Sequence, residues 1–221
     1  MIDAVVFDLD GVLIDSEQVW SAAREQLVRE RGGSWRADAT RAMMGMSSPE
    51  WSRYLHDELG VDLPPEEISR AVVERMAGLY RERLPLIPGA REAVVSVAGR
   101  RRLGLASSAN RELIDLVLEL AELRPFFAVT VSSEEVAHGK PAPEVYLEAA
   151  RRLGVPPARC AAVEDSSNGL RSAAAAGFVV VAVPNREFPP AQDALGLAAV
   201  VLGSLEGLRP GLLEELGGGP M

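Results

Sequence analysis

Short apolar runs that end in polar tips alternate along this chain with stretches of helical period. The first run, Ile2, Ala4, Val5 and Val6, is mostly β-branched or small and stops near the turn signal Asp10-Gly11, as a strand covered on both faces requires. Comparable runs predict further strands at Leu103–Ala106, Ala128–Ser132, Cys160–Glu164, Val179–Val183 and Ala199–Leu202. Between them, helical spacing covers about Ala90–Ala98, Arg111–Leu120, Pro143–Leu153 and Leu170–Ala176, with a last helix near Leu205–Leu216. Strands separated by single helices imply right-handed crossovers and a doubly wound parallel sheet, an α/β, Rossmann-like core.

From Ser16 to about Leu84 the pattern is helical throughout. Asp15 or Ser16 is placed to cap a helix whose apolar stripe is Val19, Trp20, Ala23 and Leu27, ended by Gly32-Gly33. A second short helix runs from Asp38 to Met44 and stops at Gly45. Ser48-Pro49-Glu50 opens a third, with Ser48 as its cap and Gly60 at its close. A fourth spans Glu66 to about Arg83, with Ile68, Val72, Val73, Met76, Leu79 and Tyr80 on one side. This four-helix unit, residues 16–86, is therefore expected as a cap inserted after the first strand of a core made of residues 1–15 and 87–221. Open α/β sheets place ligands at the carboxyl ends of their strands, beneath such an insertion. Gly217–Met221 is expected to be a frayed tail.

Composition narrows the function classes. A chain of 221 residues, 48% hydrophobic, can bury a core for one domain plus an insertion. The formal net charge of -9 works against nucleic acid and anionic membranes, and no basic run exceeds Arg100-Arg101-Arg102. The longest apolar stretch, Ala173–Val183, is too short to cross a bilayer, and the start of the chain has no basic leader-like segment. The expectation is a cytoplasmic protein with no nucleic-acid, membrane or obligate protein partner. The single cysteine, Cys160, opens an apolar run and is expected in the core.

The polar tips of the strands carry the candidate chemistry. Asp8 and Asp10, two residues apart, would share a side of the sheet under strand periodicity. Two such carboxylates are tolerated when one is protonated or a divalent cation sits between them, which leaves acid/base work and a hard-metal site both open. Ser107 and Ser108 precede a helix, where hydroxyls and N–H groups can cradle a phosphate or simply cap the helix. Lys140 is the only lysine among 23 basic residues, kept in a Gly-Lys-Pro turn where a compact point charge cannot be replaced by a guanidinium fork. Glu164 and Asp165 end a buried strand in two acids, and oxygen ligation of Mg²⁺ supplies a reason. His56 and His138 are given no chemical role, and no His/Cys cluster suggests zinc.

In this order, Asp8-Leu9-Asp10-Gly11-Val12-Leu13 with Asp15-Ser16-Glu17, then Ser107, then Gly139-Lys140-Pro141, then Glu164-Asp165-Ser166 resemble the four motifs of the haloacid-dehalogenase superfamily. The resemblance implies that Asp8 is a nucleophile forming an aspartyl-phosphate and Asp10 the general acid/base. It implies that Ser107, with Ser108 beside it, and Lys140 clamp the phosphate. A Mg²⁺ site would use the Asp8 carboxylate, the Asp10 backbone carbonyl and Asp165, with Glu164 a ligand or a neighbouring acceptor. A second acid at Asp10 favours phosphoryl chemistry over dehalogenation. The cap resembles those of hexose-phosphate mutases and small sugar-phosphate phosphatases. Mutases of that group carry a histidine where this chain has Trp20 and an arginine near Ser48; lacking both, this chain is expected to hydrolyse a small phosphorylated metabolite. The mutase stands as the alternative. A non-enzymatic phosphate-binding module is a third reading, but a degenerate member would be expected to lose Asp8, Asp10 or Lys140. Substrate specificity is expected from Trp20 and the Gly45, Met46 and Ser47 loop.

Overall fold

The computed structural model describes residues 1–43 and 46–218. Its frame is a six-stranded sheet of parallel strands in the order β3-β2-β1-β4-β5-β6. The strands are β1 (Ala4–Phe7), β2 (Arg102–Ser107), β3 (Phe127–Ser132), β4 (Cys160–Glu164), β5 (Val179–Ala182) and β6 (Val200–Val201). This is the doubly wound α/β arrangement that the apolar runs predict. Alternation along each strand sorts side chains to opposite faces. Val5, Phe7, Leu105 and Val163 join a core on one face, and Ala4, Val6, Ala106 and Ala162 join a core on the other.

Between β1 and the rest of the sheet lie α1 (Glu17–Glu30), α2 (Ala39–Met43), α3 (Ser48–Asp57) and α4 (Pro65–Glu82). Their inward stripes, including Leu27, Leu55, Val72 and Met76, are fully buried. The sheet is then wrapped by α5 (Ala90–Ala98), α6 (Arg111–Leu120), α7 (Glu144–Leu153), α8 (Ser167–Ala175), the short α9 (Gln192–Leu195) and α10 (Pro210–Gly217). No helix among the described residues is long and apolar enough to cross a membrane.

Several boundaries differ from the sequence pattern for local reasons. Ser47, not Ser48, precedes α3: the Glu50 carboxylate accepts from the Ser47 N–H at 2.7 Å and from its hydroxyl at 2.5 Å. Helix α8 begins three residues earlier than its apolar stripe, because the Ser166 hydroxyl accepts the Gly169 N–H at 3.1 Å and caps it. Leu205–Gly207 forms a 3₁₀ turn, and α10 starts only at Pro210, whose ring fixes a helical φ at the first turn. Gly217 closes α10 rather than opening a tail; the predicted tail's last three residues and the predicted Gly45 stop lie outside the described residues.

Candidate active site

The register of β1 assembles the site. Phe7 lies between Leu105 of β2 and Val163 of β4, and the next residue, Asp8, donates its N–H to the Val163 carbonyl at 3.0 Å. Asp8 is thereby carried to the strand tip beside Glu164, at the crevice where the strand order reverses. From the loop after β3, the buried Lys140 ammonium donates to Asp8 Oδ1 at 2.8 Å, Glu164 Oε1 at 2.6 Å and the Ala106 carbonyl at 3.0 Å. All its donors are used. Glu164 is equally engaged. Oε1 also accepts the Tyr146 hydroxyl at 2.7 Å, while Oε2 accepts the Asp165 N–H at 3.1 Å, the Ser166 N–H at 3.4 Å and the Ser166 hydroxyl at 3.3 Å. Among the described residues, no hydrogen bond reaches the Asp165 carboxylate.

Charge in this nest does not balance. Burial pushes the Asp8 carboxyl up to about 8, and the ammonium of Lys140 only partly opposes it. Burial, then Glu164 and Asp8, hold Asp165 well above the carboxylate range. Burial alone would lower the Lys140 pKa, but Asp8 and Glu164 outweigh it and hold the ammonium charged. One oxygen each of Asp8, Glu164 and Asp165 lie within 4.8 Å of one another. Three buried carboxylates against one ammonium, all oxygen donors, fit a hard divalent cation. Gly11 makes the arrangement possible. At its φ of +79° a Cβ would lie 2.0 Å from Asp165 Oδ2, so only glycine suits both the turn and the carboxylate.

Asp10 reaches the same pocket by another route. β1 ends at Phe7, so the two-residue strand period does not extend to Asp10, which pairs instead with Ile14 in a tight bridge. Its carboxylate is held from the helical insertion: Oδ1 accepts the Ser16 hydroxyl and, at 3.0 Å, the Trp20 indole N–H, while the Ser107 hydroxyl lies 3.5 Å from Oδ2. Ser16 sits at the N-cap position of α1, yet it spends its hydroxyl on Asp10 rather than on the helix.

Above the carboxylates the wall comes from the insertion. Asp8, Asp10, Lys140, Ser108 and Asp165 share a pocket with Glu17, Trp20, Arg24, Met43, Met46 and Trp51. Its volume is about 70 Å³, against roughly 300–1,000 Å³ for typical ligand sites. Ser107 is fully buried beneath the lining, with its hydroxyl accepting the Ala109 N–H at 3.0 Å. Ser47 is not on the wall; it packs near Gly139 at the seam. Gly45 lies outside the described residues. His138 pairs with Glu144 at the surface and His56 with the Val61 carbonyl, both away from the pocket.

The sequence pattern does not single out Arg24, Trp51 or Tyr146, and it notes Glu17 only inside a motif. Burial pushes the Glu17 carboxyl up to about 7, helped by Asp10 and opposed by Arg24. Arg24 carries a readable signal: it lies four residues after Trp20 and three before Leu27, in the middle of an apolar stripe.

A family model described as haloacid dehalogenase-like hydrolase matches residues 2–177. The chain is 35% identical over 201 residues to hexitol phosphatase B of Escherichia coli (strain K12), covering 83% of this chain and 84% of that one. It is 34% identical over 178 residues to a phosphorylated carbohydrates phosphatase of Thermotoga maritima, covering 80% and 82%. The crystal structure of CbbY from Rhodobacter sphaeroides in complex with phosphate superposes with a TM-score of 0.87 at 29% identity, over 97% of this chain and 100% of that one.

Proposed function

The chain belongs to the haloacid dehalogenase-like hydrolase family as a phosphatase, and we propose that it hydrolyses a small phosphorylated sugar or similar metabolite through Asp8, with Mg²⁺ as its cation. The observation that carries this reading is the placement of Asp8: a buried carboxylate on the pocket floor, anchored through one oxygen by Lys140 at 2.8 Å. That contact leaves Oδ2 for attack on phosphorus.

In the first step, an Asp8 oxygen forms a bond to phosphorus as the ester P–O bond breaks. Asp10 gives its proton to the departing oxygen. In the second, the Asp10 carboxylate takes a proton from water, whose oxygen attacks phosphorus. Inorganic phosphate leaves and the Asp8 carboxylate is restored. Ser108 is placed to hold the phosphoryl oxygens, and the Lys140 ammonium, its donors spent on Asp8, Glu164 and the Ala106 carbonyl, attracts them by its charge. Asp165 and Asp8, with the Asp10 carbonyl, would hold Mg²⁺, while Glu164, saturated by Lys140, Tyr146 and backbone N–H groups, positions Lys140. Bound there, the cation offsets the repulsion between an anionic nucleophile and an anionic phosphate.

Hydrolysis is favoured over phosphoryl return to a second hydroxyl by Trp20. Its indole N–H is a donor only and is already committed to Asp10, so it relays no proton to a reoriented sugar. Residues 16–86 act in this reading as a cap that opens to admit substrate and water. The test is phosphate release from a panel of sugar phosphates with and without Mg²⁺, beside Asp8→Asn. Mg²⁺-dependent release that falls at least about a thousandfold in Asp8→Asn supports the reading. Release that survives the substitution removes Asp8 from the nucleophile role.

A further inference from the structure

Arg24 is a buried cation with no salt-bridge or hydrogen-bond partner among the described residues. Its side chain lines the pocket and the residue is only 6% exposed, yet its Nε has no hydrogen-bond partner among the described residues. Glu17, Asp10 and Tyr80 act on it through space, not by direct pairing. The guanidinium carbon lies 4.6 Å from the Trp20 ring and 4.9 Å from the Trp51 ring. The two ring centroids are only 6.0 Å apart, so the indoles flank the guanidinium on one side and hold it in place, and its N–H groups are what a ligand entering the pocket would have to satisfy. An unpaired charge out of water is costly, and a protein retains one where a partner arrives. A hydroxyl would fill the donors but not neutralise the charge. A carboxylate or phosphate does both, and its paired oxygens match the guanidinium fork.

We propose that Arg24 is the specificity-determining residue of this pocket, selecting phosphomonoesters whose leaving group carries a second oxyanion, a carboxylate or a second phosphate. The inference rests on the phosphatase reading of the same pocket. It places the selecting cation on α1, not near Ser48 at the start of α3.

Matched pairs test it: 3-phosphoglycerate against glycerol 3-phosphate for the carboxylate, and fructose 1,6-bisphosphate against fructose 6-phosphate for the phosphate. With Mg²⁺, kcat/KM in at least one pair is expected to favour the second-anion member by about tenfold or more, carried by KM, as a charge-assisted hydrogen bond supplies. Arg24→Gln should bring that ratio near one, and Arg24→Lys should retain part of it. A wild-type ratio at or below one in both pairs overturns the proposal, as does a ratio unchanged in Arg24→Gln. If Arg24→Gln fails to fold, the wild-type ratios and Arg24→Lys still decide. Where no member of either pair releases phosphate, the phosphatase reading is judged by the wider sugar-phosphate panel and not by these pairs. Binding then decides separately, read from tryptophan fluorescence of Asp8→Asn with Mg²⁺. Tighter binding of a second-anion member supports the Arg24 assignment, and equal or undetectable binding overturns it.

Discussion

Asp165 occupies the space that a side chain on Gly11 would need: its Oδ2 lies 2.0 Å from the position of a Cβ there. The turn that follows Asp10 and the acid just past the tip of β4 are thus built against each other. Gly11→Ala is expected to do two kinds of damage. It strains a backbone at φ +79°, at a cost of roughly 1–2 kcal/mol, and it pushes Asp165 out of place. Urea denaturation should show the lost stability. A Mg²⁺ titration of activity should show a requirement raised well beyond what the stability loss explains.

Lys140 joins Asp8 and Glu164 inside the protein, at 2.8 and 2.6 Å. Lys140→Met leaves two buried carboxylates without their cation and should cost about 3–5 kcal/mol. Lys140→Arg keeps the charge, but a planar fork cannot reach Asp8, Glu164 and the Ala106 carbonyl from the same point. Its activity should fall at least a hundredfold, measured by phosphate release. Near-wild-type activity would show that any cation serves.

Glu164 and Asp165 are neighbours with different surroundings, and their amide variants should separate. In Glu164→Gln either orientation of the amide sets its NH₂ against a donor, Lys140 on one side or the Asp165 and Ser166 N–H groups on the other. A stability loss of about 1–3 kcal/mol is expected. Asp165→Asn replaces an acid that burial already holds protonated in the metal-free protein, so stability without Mg²⁺ should stay close to wild type, while the Mg²⁺ requirement rises. Thermal melts with and without Mg²⁺ distinguish the two patterns.

Glu17 gives the pocket a pH response. Its carboxyl is raised from 4.5 to about 7, first by burial and then by Asp10. The folded state therefore holds that proton more tightly than the unfolded chain. The stability this contributes is full below about pH 4.5 and is lost as pH rises to about 7. Glu17→Gln stays neutral and escapes the loss. Denaturation at pH 5 and pH 8 should show the variant gaining on the wild type at the higher pH by roughly 1–3 kcal/mol.

Much of this site is legible in the chain because strand tips are abrupt. A buried run such as Cys160–Glu164 ending in acids, or a sole lysine in a Gly-Lys-Pro turn, leaves few structural reasons for those residues, and Asp8, Lys140, Glu164 and Asp165 do meet at one crevice. What escapes is whatever depends on which way a helix turns. Arg24 and Trp51 face the pocket because α1 and α3 each pack on α4 and bring the indoles of Trp20 and Trp51 to 6.0 Å of each other, and no local pattern states that. Tyr146 looks like one more apolar position of α7 until the sheet brings Glu164 to its hydroxyl. Helix starts were obscured by caps: Ser166 is polar, and its role at α8 appears only once its hydroxyl meets the Gly169 N–H.

Trp20 and Asp10 bear on the central claim: in the proposed mechanism a group that only donates, fixed 3.0 Å from the Asp10 carboxylate, leaves water to accept the phosphoryl group. Incubation of a hexose 6-phosphate, and separately of β-glucose 1-phosphate, with the protein and Mg²⁺, followed by ³¹P NMR, measures this directly. Inorganic phosphate should grow in step with loss of the ester, with free sugar as co-product. Accumulation of an isomeric sugar phosphate with little inorganic phosphate would contradict the account and make the protein a mutase.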